Sequence, residues 1–216
     1  MMRMSGADAI LEQILRNGVD TIFGLPGGQL DHFFDSMYRR SGQVRFVGAR
    51  HEQGAGYMAF GYARSTGRPG VYTVVPGPGV LNSGAALCSA YATNAPVLCL
   101  TGQIPSEAIG RGIGYLHELP DQLATMRSLT RWAERINRPQ DAPSIVNQAF
   151  SRLNGGRRGP VSLEMPMDIM GQQAEVAPLG AAVALAPPPL DTDRIETAAR
   201  LLADAQRPMI VVGGGA

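Results

Sequence analysis

Arg50-His51-Glu52-Gln53-Gly54-Ala55-Gly56-Tyr57-Met58-Ala59-Phe60-Gly61 is the stretch on which the reading of the fold turns. It follows a short apolar run, 45–49, that reads as a strand, and it opens a helix predicted to reach Thr66. Glu52 therefore stands where a strand hands over to a helix. Gly54, Ala55, Ala59 and Gly61 give that helix a thin face, so another element can approach closely. Taken alone, Glu52 is most simply a first-turn acid favoured by the helix dipole. The remainder of the chain reverses that preference.

The same unit of strand, glycine turn and helix recurs on both sides. Upstream, Ser5-Gly6-Ala7-Asp8 starts a helix with Ile10, Leu11, Ile14 and Leu15 at helical spacing, closed by Asn17-Gly18. A strand over 19–25 then stops at Pro26-Gly27-Gly28, and a helix over 29–40 follows. Downstream, the strand 71–75 meets Pro76-Gly77-Pro78-Gly79 and the helix 80–93. A further strand, 96–100, ends in Thr101-Gly102-Gln103.

The pattern breaks at 104–120, a glycine-dotted loop with Arg111, Tyr115, His117 and Glu118, of a length that is usually functional or mobile. A helix at 121–129, a strand at 131–136, a helix at 142–153 and a strand at 161–164 follow. Alternation of this kind, with runs such as Val71-Tyr72-Thr73-Val74-Val75, predicts an α/β fold. Its sheet is doubly wound and mostly parallel, with helices on both faces. We assign residues 1–170 to this domain.

Composition then shifts towards alanine, glycine and proline, and a linker is expected over 171–190. Residues 191–216 read as the opening of a second α/β domain. That segment holds an amphipathic helix with Ile195, Ala198, Leu201 and Leu202 on one face, then an apolar strand over 208–212 running into Gly213-Gly214-Gly215-Ala216.

A net charge of +1 gives no reason to expect nucleic acid or an anionic membrane as partner. All 19 basic residues are arginine, which removes a Walker-type lysine and a lysine Schiff base. Cys88 and Cys99 lie in apolar surroundings, form no metal-ligand spacing, and read as buried free thiols suited to a reducing cytoplasm. No apolar run approaches ~18 residues, so a membrane span is not expected. No metal site is predicted within these residues.

Ligands of open α/β sheets bind at the carboxyl ends of the strands. The turns at 26–28, 76–79 and 102–103 all fall there, as does Glu52. The first turn, Gly24-Leu25-Pro26-Gly27-Gly28, departs from a dinucleotide fingerprint, and proline removes an N–H that a pyrophosphate would want.

Four motifs in this order carry a family resemblance: Gly-Leu-Pro-Gly-Gly-Gln (24–29), Arg-His-Glu-Gln-Gly-Ala-Gly (50–56), Gly-Pro-Gly-Val-Leu-Asn (77–82) and Leu-Thr-Gly-Gln (100–103). Together they resemble the pyrimidine-binding domain of thiamine-diphosphate enzymes. The nearest branch is acetolactate synthase-like, with benzaldehyde lyase and oxalyl-CoA decarboxylase as relatives. The resemblance covers about residues 5–170. It implies that Glu52 hydrogen-bonds N1′ of the cofactor's aminopyrimidine and shares a proton there, so that the 4′-nitrogen can take the proton from thiazolium C2. Burial beside Val75 and Met58 would help it hold that proton. The same resemblance places Pro26, Gly27, Val75, Pro78, Asn82 and Gln103 around the cofactor. Asn82 reads equally well as an ordinary polar residue at a helix start.

Gln29 and His117 fall where family members place substrate-facing groups that shuttle protons. The sequence departs from the synthases here: Leu116-His117-Glu118 stands for Phe-Gln-Glu, Arg131 stands for a lysine, and the loop is two residues longer. An exposed loop histidine is the plain alternative for His117. His32 reads as a helix-surface residue, and His51 as a neighbour shaping the Glu52 turn.

The resemblance further implies Mg²⁺ and a diphosphate site in another domain, and it leaves FAD open, because some synthases hold it centrally. It implies a 2-keto acid or related substrate and a homodimer or homotetramer built through the face of this domain. The favoured function is decarboxylation of a 2-keto acid with transfer of the fragment to an acceptor carbonyl, an activity that this segment alone would lack. The alternatives are a lyase or decarboxylase of the same cofactor class and a non-catalytic α/β binding module. Glu52 discriminates among them, since a binding module could dispense with this acid while keeping the glycine turns.

Overall fold

The computed structural model describes residues 1–186 and 189–213. The chain divides into two units, 1–185 and 186–216. The first unit runs β1 (Met2–Ser5), α1 (Gly6–Arg16), β2 (Thr21–Gly24), a 3₁₀ turn (Gly28–Leu30), α2 (Asp31–Arg39), β3 (Arg45–Gly48), α3 (Glu52–Thr66), β4 (Gly70–Val74) and α4 (Pro78–Ala92). It continues through β5 (Val97–Gln103), α5 (Gln122–Leu129), β6 (Trp132–Arg135), α6 (Ala142–Asn154), β7 (Val161–Pro166), α7 (Met167–Gly171) and β8 (Gln173–Val176).

Six strands form one sheet in the order β3-β2-β4-β5-β7-β6, and every pairing is parallel. The sequence expectation of a doubly wound sheet holds. Because every strand points the same way, the turns after β2, β3, β4 and β5 share one rim. The chain order reverses between β2, which leads to β3, and β4, so the two sit at a topological switch point.

Both faces of the sheet are covered, which is why its strands are apolar at successive positions rather than alternating with polar ones. On one side Ile10, Ile14, Phe33, Val146 and Phe150 of α1, α2 and α6 pack on Ile22, Val71, Leu98 and Leu163. On the other, Ala55, Ala59, Val80, Leu87 and Met126 of α3, α4 and α5 pack on Phe23, Tyr72, Val74 and Cys99. Of the small residues expected to thin α3, Ala55 and Ala59 are buried but Gly54 and Gly61 are exposed; the close approach to α4 comes instead at Gly56, where a Cβ would stand 2.7 Å from the Ala86 Cβ.

Several elements differ from the sequence reading. β5 continues through Thr101, Gly102 and Gln103, which looked like a terminating turn; all three remain buried and paired with β7. The stretch expected to begin the linker contains β8, which pairs antiparallel with β1 in a two-stranded ribbon, and the first unit closes at Leu185 rather than at 170. Cys88 is exposed and Cys99 buried, because Cys88 falls on the outward side of α4.

In the second unit, α8 (Thr192–Asp204) forms as predicted, capped by Asp191, and all its residues are exposed. The strand expected over 208–212 does not form; 208–213 carry no strand pairing, and a strand without a neighbour has no hydrogen-bond ladder. The expected glycine end at 214–216 and part of the linker, 187–188, lie outside the described residues.

Candidate active site

Glu52 opens α3 at the carboxyl end of β3, where unpaired helix N–H groups favour a negative charge. His51 caps this helix: its Nδ1 accepts from the Gln53 N–H at 3.2 Å, which shapes the turn that presents Glu52. The carboxylate is half-buried rather than buried. Its Oε2 accepts from Asn82 Nδ2 at 3.0 Å, so Asn82 on α4 orients the acid across the groove between the two helices.

Val75 lies beside this pair. Its Cγ1 is 2.3 Å from the place a Cβ on Gly27 would occupy, and its Cγ2 is 2.8 Å from that of Gly79. The point above Gly79 is also 3.6 Å from Oε1 of Glu52. Gly27, Glu52, Val75 and Asn82, all expected around the cofactor, thus meet in one cluster with Gly79. Pro26 and Pro78 stand exposed at its edge, with Pro78 as the first residue of α4.

The second cluster joins two further predicted residues. His117 Nδ1 lies 2.9 Å from Gln29 Oε1, and Gln29 Nε2 donates to the Leu116 carbonyl at 3.3 Å. Gln29 is buried and His117 half-buried, so His117 is more than an exposed loop histidine. His117 has φ +71°, a conformation sparsely used outside glycine though enriched for His. Gly77, at φ +59°, lets the His117 carbonyl approach to where its own Cβ would be, 2.4 Å away. Gly102 does the same for the Gln29 carbonyl, at 2.6 Å. Glu118 holds the loop before it, accepting from the Gly112 and Tyr115 N–H groups.

Gln103 does not join either cluster. Its Oε1 accepts from the N–H of Ile104, and it lines a separate cleft of about 170 Å³ with Ile109, Leu119, Asp121, Gln122 and Arg135. His32 is exposed, as expected.

One residue that the sequence reading passed over ties the arrangement together. Gln122, 1% exposed at the start of α5, accepts at Oε1 from the Gly77 N–H at 2.8 Å. Its Nε2 donates to the Gly102 carbonyl at 3.1 Å and to Glu164 Oε2 at 2.8 Å. Glu164, equally buried on β7, receives Arg135 Nε at its other oxygen. The two glycine platforms under His117 and Gln29 are therefore bridged by one amide. A glutamine directly after a helix-capping aspartate was the available signal, Asp121 Oδ1 accepting from the Ala124 N–H.

Among the described residues no cluster of His, Cys, Asp or Glu could hold a metal ion, and no helix is long and apolar enough to cross a membrane.

Comparison with known proteins gives a consistent result. Residues 4–125 match the family described as thiamine pyrophosphate enzyme, N-terminal TPP binding domain. The chain is 35% identical to an acetolactate synthase of Arthrospira platensis over 99% of its own length and 38% of that protein's. It is 37% identical to a probable 2-ketoarginine decarboxylase of Pseudomonas aeruginosa over 99% and 38%. It is 35% identical to the chloroplastic acetolactate synthase of Arabidopsis thaliana over 97% and 32%. The chain thus spans less than two-fifths of the length of these relatives.

Proposed function

The chain belongs to the thiamine pyrophosphate enzymes through their N-terminal TPP binding domain, and from that premise we propose that it is the pyrimidine-binding part of an acetolactate synthase-like enzyme. The reaction is decarboxylation of a 2-keto acid and transfer of the fragment to an acceptor carbonyl. The observation that carries this reading is the Glu52 carboxylate, half-buried at a helix N-terminus on the sheet's carboxyl rim and oriented by Asn82.

The residues present fit the cofactor's pyrimidine. One carboxylate oxygen is engaged by Asn82, and among the described residues the other accepts no side-chain hydrogen bond, which leaves it for a ring nitrogen. Val75 supplies an apolar surface beside the acid, with Gly27 packed directly against it. When bound, thiamine diphosphate supplies the nucleophilic carbon and the electron sink. Glu52 holds the proton shared with the ring, Asn82 keeps the carboxylate aimed, and Pro78 with Val75 limits water at that edge. On the substrate side His117 takes and returns protons with Gln29 bonded to its ring, and Gln103 contributes from the neighbouring cleft.

The reading carries Mg²⁺ with the diphosphate in another part of the enzyme, and FAD as a cofactor some synthases hold centrally. It places the enzyme in the cytoplasm as a homodimer or homotetramer. Exposed Tyr57, Leu81 and Tyr91 on α3 and α4 support a covered face there. Release of the fragment, as a decarboxylase would do, is the second reading; similarity to the 2-ketoarginine decarboxylase favours it.

The test is Glu52→Gln in the full-length enzyme, which keeps the shape but cannot share the proton. Turnover of pyruvate with thiamine diphosphate and Mg²⁺ is expected to fall by roughly 10²–10⁴-fold, the scale of removing an acid–base group. Unchanged turnover would overturn the assignment.

A further inference from the structure

His117 carries no proton assignment by itself: either ring nitrogen of a neutral imidazole can bear the hydrogen. Its surroundings remove that freedom in two steps. The Leu116 carbonyl can only accept, so the Gln29 side-chain atom 3.3 Å from it must be the NH₂ group. The other end of the amide, 2.9 Å from His117 Nδ1, is then the carbonyl oxygen, which also can only accept. Nδ1 must therefore carry the hydrogen.

We infer that Gln29 is a positioning residue that locks His117 in the Nδ1–H tautomer and leaves Nε2 as the nitrogen that takes a substrate proton. The hydrogen bond at one ring nitrogen decides the chemistry of the other. Gln29 Oε1 accepts from Nδ1–H whether the ring is neutral or protonated, so proton uptake at Nε2 requires no rearrangement of the pair. The lock is rigid because its parts are fixed from behind. Gln29 is buried and its carbonyl rests on Gly102; the His117 carbonyl rests on Gly77; Gln122 bonds both glycines. Among the described residues Gln29 is the hydrogen-bond partner of the His117 ring. The tautomer follows from hydrogen bonding alone; its use in proton transfer rests on the function proposed above.

The experiment separates the two. The chain has three histidines, so long-range ¹H–¹⁵N spectra of the ¹⁵N-labelled protein without cofactor resolve each imidazole, and His117→Gln identifies the third pattern by its loss. The expected result is Nδ1–H for His117, against the Nε2–H form that unconstrained histidines favour. Gln29→Ala should convert His117 to the Nε2–H pattern. Gln29→Glu should retain Nδ1–H, because a carboxylate also accepts there, a rescue that a merely space-filling role would not give. In the full-length enzyme Gln29→Glu should move the acid limb of the pH profile upward by about one unit, since the added charge favours the imidazolium. A wild-type Nε2–H pattern overturns the inference, even if both Gln29 variants fail to fold. A confirmed Nδ1–H tautomer with turnover indifferent to His117→Gln would leave the inference standing and defeat only the assigned use of His117.

Discussion

The rim of the sheet has two sides built in different ways. Around the ends of β2, β3 and β4, Glu52 is half-buried with Asn82 on one oxygen, and Pro26, Pro78 and Asn82 are exposed. Around β5 and β7, Gln103, Gln122 and Glu164 are each 2% exposed or less, and the Gln122 amide uses both ends. A polar group taken out of water must be satisfied inside the protein, and on this closed side the Gln122 amide and the Glu164 carboxylate are each bonded at both ends. A carboxylate with a free oxygen at the surface is instead available to a ligand. On the function proposed above, the open side offers its groups to the ligand, and the closed side fixes the geometry of the groups that act on it.

If this division is right, the closed side should be sensitive to losses that the exposed surface tolerates. Glu164→Ala leaves Arg135 and the Gln122 amide without their shared partner. Removing one member of a buried ion pair costs about 3–5 kcal/mol, and for a unit of this size that lowers the melting temperature by ~10 °C. Arg138→Ala breaks the Arg138–Asp141 pair on the solvent side of the fold and should hardly move the melting point. Equal shifts for the two variants would erase the contrast.

Gln122→Leu preserves approximate volume and tests the bridge itself. It strands the Gly77 N–H and one oxygen of Glu164, at about 1–3 kcal/mol for an unsatisfied buried group. The read-out is hydrogen exchange at the Gly77 amide, where protection should drop roughly 10- to 100-fold. Glu52 and Asn82, on the open side, should keep their chemical shifts. Unaltered exchange at Gly77 would mean that the turn is held by its own proline-glycine geometry.

The open side was legible in the sequence because each of its residues sits in a local motif. A strand, a glycine turn and a helix start place Glu52, Gly27 and Pro78 with no knowledge of the tertiary structure, and parallel pairing then puts them on one rim. The closed side was not, because its bonds join residues far apart in the chain: Gln122 lies 45 positions from Gly77 and 42 from Glu164. Glu164 reads merely as the last residue of a short strand. Gly102 was taken for a strand end, although it lies within β5 and is glycine because the Gln29 carbonyl packs against it. The ribbon of β1 and β8 escaped for a related reason. Gln173-Ala174-Glu175-Val176 has no apolar run, and only its partner at the opposite end of the unit makes it a strand.

The two cysteines give the finest test, since one lies on each side. Cys88 is exposed on α4, the helix that carries Asn82, while Cys99 is buried within β5, two residues before Thr101. Burial pushes the Cys99 thiol up to about 12, although Tyr72 and Ser162 pull in the other direction. The thiolate is the reacting species, so at pH 8 Cys99 is both protonated and inaccessible. Iodoacetamide should therefore modify one thiol per native chain, at Cys88, and a second only after denaturation. Any slow labelling of Cys99 in the native protein then measures opening of the closed side. That rate should rise in Glu164→Ala and stay the same in Arg138→Ala. Two thiols reacting at similar rates in the untreated protein would show that β5 is no better protected than the surface of α4, and the distinction between the sides would fail at its core.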